Sequence, residues 1–428
     1  LALAALCVSS CPSAEGDEAH GGDGDGAARL PAASEYVDEL AEAGAEFAFS
    51  LYGKLSASEG NLFFSPHSIM TALAMTYVGA RGETESQMAQ ALELPDLGAG
   101  GEGRFTPDYR GRLAASFGAL SGELQNDTPA DAHVFAEANA LWYQTGYALR
   151  DRFLSLNTGG FGARVTDLDF SERPDMARDA INEWVEEKTL GKIAELIRPG
   201  DIDPLVRIVL TNAVYFKGMW DEQFDPGATS DAPFHMSPGD AEMDVEVPMM
   251  SRKGDYAYAW IEDPGLELLE LPYAGGRASM VILLPEEQLT GGLSALEQML
   301  TRENVDTWLS RMGKREALVS IPRFDLTWGT ENIIPALEAL GMTHVFSDRA
   351  DLSGIDGTQE LYVSRVLHKA YVKVNEEGTE AAAATAVVGR LKASMPLSFR
   401  ADRPFLFLIR DTDTGAILFM GRVVDPSA

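Results

Sequence analysis

The feature that most constrains this chain is a run of small residues set in a strand-rich part of the sequence. Residues 375–385 read NEEGTEAAAAT; they follow a strand-like stretch at 363–374 and precede Val387 and Val388. Alanine is a strong helix former and a poor strand former, so the run taken alone predicts a short exposed helix or a flexible loop. The fold therefore has to accommodate a segment whose own preference differs from that of its neighbours.

Length and composition favour one large domain behind a flexible linker. The chain has 428 residues, 45% of them hydrophobic, which is ample for a buried core. Domains commonly take about 100–200 residues, which alone would suggest two or three. From Tyr36 onward, however, the sequence has no second low-complexity break and no repeat of fixed period. We therefore expect a flexible acidic linker at 12–35, rich in Gly, Ala, Asp and Glu, and a single domain at 36–428.

The charge of the chain argues against nucleic acid as a partner. There are 34 basic and 66 acidic residues, a formal net charge of −32. Such a surface repels phosphate backbones, whereas it favours solubility and encounter with a basic partner. We therefore expect a well-solvated protein that binds no nucleic acid and is a monomer.

The first eleven residues resemble a secretory signal that lacks its basic start. They read LALAALCVSSC, an apolar stretch shorter than the about 20 residues that span a bilayer. Within it Val8-Ser9-Ser10-Cys11 resembles a bacterial lipobox, in which the cysteine becomes lipidated; an ordinary signal without lipid is the alternative. The pattern predicts a bacterial lipoprotein that is secreted or held in the cell envelope, at the outer surface or in the periplasm, through a lipid on Cys11.

The order of helical and strand-like segments predicts an α+β fold. Helical spacing of apolar residues occurs early, at 36–55, after Pro66 and after Pro174. Strand-like runs come later, at 207–216, 280–284, 317–321, 363–374, 404–410 and 416–424. The last two runs flank a Gly-containing turn at 411–415 and are typical of a hairpin. We expect mainly antiparallel sheets.

Motifs for enzyme chemistry are missing from the sequence. It contains no Gly-x-Ser-x-Gly, no His-Glu-x-x-His and no phosphate loop. The sequence at 98–103 fits Gly-x-Gly-x-x-Gly but lacks the strand and helix that a dinucleotide site needs. Cys7 and Cys11 are the two cysteines, and the six histidines have no metal-binding spacing. We therefore expect no cofactor, no metal and no enzymatic activity, although a catalytic triad assembled from distant residues stays open.

Five ordered segments carry a family resemblance. Residues 375–385 resemble, almost residue for residue, the hinge of the reactive loop of inhibitory serpins. Four other segments resemble further parts of that family: NLFFSPHSI at 61–69, NEWVEEKTLGKI at 182–193, LTNAVYFKGMW at 210–220, and the C-terminal hairpin signature at 403–423. The resemblance covers about residues 36–426.

The resemblance implies both a fold and a mechanism. In such a fold, helices surround a large mixed, mainly antiparallel sheet with smaller sheets, and a reactive loop, here 376–403, is exposed as bait. A serine protease attacks one bond of the loop and forms a covalent acyl-enzyme. The cleaved loop then enters the main sheet as a new strand and distorts the protease, so that inhibition is irreversible.

The hinge is expected to make that insertion possible. It comprises ten residues: Glu376, Glu377, Gly378, Thr379, Glu380, Ala381, Ala382, Ala383, Ala384 and Thr385. With a period of two, its small Thr and Ala side chains at 379, 381, 383 and 385 share the face that would be buried. No bulky residue or proline interrupts Gly378 to Thr385, which favours an inhibitor over the alternative, a non-inhibitory binding or envelope protein with the same fold.

Two further groups of residues are assigned by the resemblance. The breach, where insertion begins, comprises Trp220, Arg323 and Glu376, and we expect Arg323, in a position that usually holds Lys, to form an ion pair with Glu376. The shutter, a polar cluster under the sheet, is expected to contain hydrogen-bonded side chains from Ser65, Ser68, Asn212 and His368. Without the resemblance, His368 would be interpreted as an ordinary core histidine.

The bond offered to the protease is predicted from the family's spacing. Seventeen residues counted from Glu376 end at Lys392, which predicts Lys392–Ala393 as the reactive bond and a trypsin-like target. Counting back from Pro404 gives one extra residue in the loop and favours Ala393–Ser394, which suits an elastase-like or subtilisin-like enzyme. Arg390–Leu391 is a third option, and a cysteine protease is a further alternative target.

Overall fold

The computed structural model describes residues 36–97, 107–126, 133–237, 241–379 and 397–428. The signal-like segment with Cys11, the acidic linker, the Gly-rich motif at 98–103, the hinge from Glu380 onward and the candidate reactive bonds at 390–394 lie outside the described residues. The predicted division of the chain at residues 11 and 35 therefore stays a prediction.

Helices in the described residues cluster in the first half of the chain. Their bounds are α1 Val37–Leu55, α2 Pro66–Tyr77, α3 Gly82–Ala91, α4 Pro107–Asn126, α5 Asp151–Ser155, α6 Pro174–Lys188, α7 Gly292–Gln298, α8 Arg302–Leu309, α9 Ile334–Ala339 and α10 Ser353–Asp356. Local chemistry explains where α2 begins. Ser65 caps it by accepting a hydrogen bond from the Ser68 backbone N–H, and Pro66 occupies the first turn, where a missing donor costs nothing.

The strands lie mostly in the second half. Their bounds are β1 Leu62–Phe64, β2 His133–Gln144, β3 Arg164–Leu168, β4 Ile208–Met219, β5 Ser230–His235, β6 Asp244–Ile261, β7 Leu266–Pro272, β8 Ala278–Pro285, β9 Gly313–Pro322, β10 Phe324–Asn332, β11 Leu367–Val374, β12 Gly378–Thr379, β13 Leu397–Arg400, β14 Phe405–Asp411 and β15 Ile417–Val423.

The strands form two sheets. The hinge sheet, as we call it here, has the order β10-β11-β12-β4-β2-β3, and β11 also pairs directly with β4. The second sheet has the order β1-β15-β14-β8-β7-β6-β9-β13, with β5 paired to β6. The hinge sheet is mixed, because β11 runs parallel to β4 and β2 parallel to β3, whereas β2 and β4 are antiparallel. The predicted fold class, helices around a large mixed sheet with a second sheet, is confirmed.

Apolar residues pack on both faces of the hinge sheet. The larger core fills the space between the two sheets and contains stacked rings such as Phe63 and Phe419, whose centroids are 5.1 Å apart. A separate cluster lies on the outer face, where α6 presents Ile181, Trp184 and Val185 to the strands. The outer face is therefore covered by α6, as expected for a helix that crosses the sheet.

The expectation that the whole loop 376–403 is exposed is wrong at both of its described ends. Glu376 is buried, and Gly378 and Thr379 form β12 inside the hinge sheet. At the other end, β13 pairs in parallel with β9 at the edge of the second sheet. The cause is backbone pairing: strand edges next to both ends offer hydrogen-bonding groups that these residues satisfy.

Candidate functional site

The site is a gap between two parallel strands that the hinge enters at one end. Leu367–Tyr371 of β11 pair with Thr211–Tyr215 of β4, which closes the lower part of the sheet. Above this, β12 lies between the two strands, antiparallel to both. Thr379 is placed opposite Gly218 of β4 and Val374 of β11. The first two residues of a potential new strand, Gly378 and Thr379, are thus already in position.

A tight turn reverses the chain between β11 and β12. The backbones of Asn375 and Gly378 exchange hydrogen bonds of 2.9 and 3.3 Å, and the Asn375 Oδ1 accepts from the N–H groups of Glu377 and Gly378. Gly378 has φ +149°, and a Cβ there would lie 2.0 Å from the carbonyl oxygen of Gly218. This position therefore requires glycine, because any side chain would push β12 away from β4.

Thr379 is completely buried beside an aromatic pair. Its exposed fraction is 0%, and its hydroxyl lies 2.8 Å from the hydroxyl of Tyr273. Burial raises the pKa of Tyr273 above its ordinary value, so that the phenol stays neutral and can donate. The Tyr273 ring stacks on Trp220 with 4.7 Å between centroids. The pocket accepts a small hydroxylated side chain and leaves no room for a larger one.

The breach residues come together as the sequence predicts. Arg323 Nε donates to both carboxylate oxygens of Glu376, at 2.8 and 2.9 Å, so the expected ion pair is present. The Trp220 indole N–H donates to the Asn375 carbonyl at 2.9 Å. The hydroxyl of Thr229 also donates to Glu376. The role of this group in restraining the loop stays a prediction.

The environment keeps Glu376 ionised although it is mostly buried. Burial tends to raise the pKa of its carboxyl, but hydrogen bonds from Arg323 and Thr229 outweigh burial and hold that pKa below its usual value. The Arg323 side chain is 43% exposed, whereas that of Glu376 is 6% exposed. The pair therefore anchors the buried start of the hinge to a partly solvated cation.

The four shutter residues form one hydrogen-bonded cluster beneath the lower part of the sheet, where β4 and β11 pair directly. The Ser65 backbone N–H donates to His368 Nε2 at 3.1 Å, and Asn212 Nδ2 donates to the Ser68 carbonyl at 2.7 Å. The Ser68 hydroxyl donates to Asn212 Oδ1, and His368 Nδ1 lies 3.3 Å from the same oxygen. Burial lowers the pKa of His368 to about 3, so the imidazole is neutral at ordinary pH.

Sequence reasoning missed two partners of these groups. Asn139 accepts a hydrogen bond from Asn212 at 2.6 Å, and Tyr273 contacts the hinge. Asn139 lies opposite Asn212 in the register of β2 and β4. Knowing how these two strands pair would therefore have been enough to predict the contact of Asn139 with the shutter. Nothing local marks Tyr273, because its contact depends on how the two sheets meet.

The described residues show no arrangement for metal or membrane chemistry. In the parts of the chain that the structure covers, no group of three or more His, Cys, Asp or Glu could hold a metal ion. None of the helices described there combines the length and apolarity needed to cross a bilayer.

The geometry defines a class of protein in which the start of the hinge lies as a short strand, β12, between β4 and β11 of the main sheet. Comparison with known proteins agrees. The family model for serpins, described as serine protease inhibitors, matches residues 42–426. A leukocyte elastase inhibitor from Sus scrofa is 40% identical over 397 residues, covering 91% of this chain and all of that protein. The chain belongs to the serpin family.

Two further comparisons support this assignment. An uncharacterised serpin-like protein of Thermococcus kodakarensis is 38% identical over 384 residues, covering 89% of this chain and 84% of that protein. The crystal structure of mouse protein-Z dependent protease inhibitor matches with a TM-score of 0.79 and 30% identity, covering 91% of this chain and 98% of that one. Relatives named as protease inhibitors therefore share both the sequence and the fold.

The expectation that the chain has no enzymatic activity has to be corrected. The missing catalytic motifs led us to expect no enzymatic activity. The family assignment establishes a positive class, the serpin protease inhibitors, and it does not establish that catalysis is absent. Inhibition of proteases, and not the lack of an activity, is what the comparisons support.

Proposed function

We propose that this chain is an irreversible suicide-substrate inhibitor of a serine protease. The protease serine attacks the reactive bond, an ester to the loop forms, and the amine of the following residue leaves. The loop then inserts between β4 and β11 before water can hydrolyse the ester. The product is a covalent complex of one inhibitor and one protease.

The observation that carries the proposal is the position of β12. Thr379 already occupies the gap, and the residues after it are small at alternate positions. Each additional backbone hydrogen bond is worth about 0.5–1.5 kcal/mol net. Ten such bonds would supply roughly 10 kcal/mol, comparable to the stability of a whole domain. Insertion of the cut loop is therefore expected to be strongly favourable.

For the target we favour a trypsin-like protease that cleaves Lys392–Ala393. The support is the family's usual spacing of seventeen residues, which counted from Glu376 ends at Lys392. The name of the Sus scrofa relative favours the second option, cleavage at Ala393–Ser394 by an elastase-like or subtilisin-like enzyme. Arg390–Leu391 stays the third option.

A panel of proteases distinguishes these options. The purified protein is mixed with trypsin, elastase, subtilisin and papain, and complexes that survive boiling in detergent are counted on a gel. Mass spectrometry of the C-terminal peptide released in detergent identifies the bond. We expect a complex with trypsin and a peptide that begins at Ala393.

Lys392→Ala should lower the rate of inhibition of trypsin at least about 100-fold, whereas Arg390→Ala, the matched control, should leave it within threefold.

A loop that every protease cleaves without forming a complex would refute inhibition and favour the non-inhibitory alternative. A peptide beginning at Ser394, with a complex only with elastase or subtilisin, would instead replace the trypsin-like target. Both results are read from the same gel and spectrum.

We further propose that the protein acts as a monomer in the extracellular space or the cell envelope of a bacterium. The lipobox-like sequence at Cys11 and the linker at 12–35 support a tethered domain at 36–428. Labelling of the expressed full-length protein with radioactive palmitate tests the anchor, and Cys11→Ser should abolish the label. Label that persists in this variant, or is absent from both proteins, would contradict the proposal.

A further inference from the structure

The first turn of α2 contacts three neighbouring strands of the hinge sheet. Ser65 bonds to His368 on β11, and Ser68 bonds to Asn212 on β4. Between them in sequence, His67 faces Glu137 on β2. The first two contacts belong to the shutter. The third contact is an additional buried pair that the shutter residues do not explain.

The pair of His67 and Glu137 is buried and ionisable. His67 Nε2 lies 3.7 Å from Glu137 Oε2, and the two side chains are 5% and 1% exposed. The Ser121 hydroxyl of α4 donates to the same oxygen at 3.0 Å, and the imidazole packs on Phe135 of β2, with ring centroids 6.0 Å apart. A carboxylate removed from water to this degree is tolerated only with a charged or hydrogen-bonded partner.

The electrostatics of the pair favour the ionised carboxylate. Burial raises the pKa of Glu137, but the charge of His67 and hydrogen bonds from Asn139 and Ser121 outweigh burial and hold that pKa below its ordinary value. From the strands beneath, the titratable neighbour in the same network is His368, which is neutral. Glu137 is therefore held as a carboxylate, and His67 is the basic side chain that faces it at 3.7 Å.

α2 is also joined to the second sheet, through the strand that precedes it and through its N-terminal cap. The strand before it, β1, pairs with β15, and the Ser65 hydroxyl donates to the Leu418 carbonyl of β15 at 2.6 Å. To admit a new strand, β4 has to move away from β11, and β2 moves with it because the two are paired along most of their length. This motion shears β2 past α2 and separates Glu137 from His67.

We propose that the buried contact between His67 and Glu137 is a latch that slows opening of the hinge sheet. The proposal rests on the proposed function, since it concerns the same insertion. His67 and Glu137 are positioning residues: they contact neither the loop nor the protease. Their attraction must be lost as the sheet opens, so it adds to the barrier for insertion and helps to keep the uncut protein in its closed form.

Peptide uptake measures opening without a protease. A synthetic peptide with the sequence TEAAAATAVV, residues 379–388, is incubated with the intact protein, and the rate of uptake is followed by native gel mobility. Glu137→Gln keeps the shape of the side chain and a hydrogen-bond acceptor for Ser121 but removes the charge. We expect it to take up the peptide roughly tenfold faster than the wild type, the size of coupling typical of contacting charges.

A matched control separates a latch from general loosening. Arg110 and Glu85 form another buried ion pair, between α4 and α3, whose side chains are 6% and 4% exposed. Glu85→Gln removes that pair by the same change and should leave the rate of peptide uptake within twofold of wild type. If both variants accelerate equally, the effect is general destabilisation and the latch is refuted.

A double variant tests the coupling itself. In His67→Gln/Glu137→Gln no charge is left in the pair, so this protein should fold even if a single variant does not. We expect it to take up peptide as fast as Glu137→Gln, and Glu137→Gln to have no further effect in the His67→Gln background. Equal rates in wild type and double variant would overturn the latch alone. A wild type that takes up no peptide at all would overturn the proposed function, and the latch with it.

Discussion

Thr379 and Gly378 show how closely a single residue is specified at the start of the hinge. The glycine has no space for a Cβ, and the threonine has one hydrogen-bond partner, Tyr273, in a closed pocket. The period of two predicts that Thr379 lies on the face to be buried, together with the small residues at 381, 383 and 385. It does not predict that Gly378 and Thr379 are already buried, because that depends on β4 and β11 separating above Tyr371 and leaving edges with which β12 pairs.

Replacing Thr379 by arginine should convert the inhibitor into a substrate. A guanidinium would have to enter a pocket with 0% exposure, and burying an unpaired charge costs several kcal/mol. Deacylation of the acyl-enzyme would then be faster than insertion of the loop. We expect the target protease to cleave Thr379→Arg with less than about one tenth of the wild-type yield of detergent-stable complex. Glu380→Arg, on the opposite face by alternation, is the control and should keep the complex. Full complex formation by Thr379→Arg would contradict the mechanism.

At the scale of elements, sequence patterns predicted the parts whose signals are local. The expected helix at 36–55 is found as Val37–Leu55, and the expected C-terminal hairpin as β14 and β15. β2 has no strong local pattern and was not predicted, although it carries Asn139 and Glu137. The contacts beneath the hinge sheet depend on the register of its strands and on the position at which α2 crosses it. Neither can be read directly from a single sequence.

The shutter should make the native state sensitive to acid through His368. Its folded pKa of about 3 lies below the ordinary value of 6.5. The unfolded state therefore binds more protons between these values, and stability falls as pH drops below 6.5. At pH 5 the loss is at most about 2 kcal/mol. Urea midpoints measured from pH 7.5 to 4.5 should fall less steeply in His368→Gln than in the wild type. Parallel pH profiles would contradict this assignment.

For the whole molecule, the proposed function requires that the uncut chain, with its closed hinge sheet, is not in its most stable arrangement. Cutting the loop frees residues from Thr379 onward to complete the strand that β12 begins.

Cleavage within the loop should raise the heat resistance of the molecule. We expect limited digestion between residues 386 and 394 by a protease that is not trapped to raise the unfolding midpoint by more than about 15 °C, since roughly ten new hydrogen bonds form. Differential scanning calorimetry of intact and cut protein measures the change. Cut Thr379→Arg is the control and should gain less than half as much. A cut wild type that melts at the temperature of the intact protein would show that no strand is added.

The placement of β13, β14 and β15 has a consequence for the molecule after it has been cut. The peptide beyond the reactive bond contributes β14, which lies between β15 and β8 in the interior of the second sheet. If the reactive bond is cut as proposed, the inhibitor becomes two polypeptides that are joined by core packing in the residues that the structure describes, and the smaller one stays bound while the fold persists. Under the proposed mechanism, a trapped protease would therefore be cleared together with both fragments of the inhibitor.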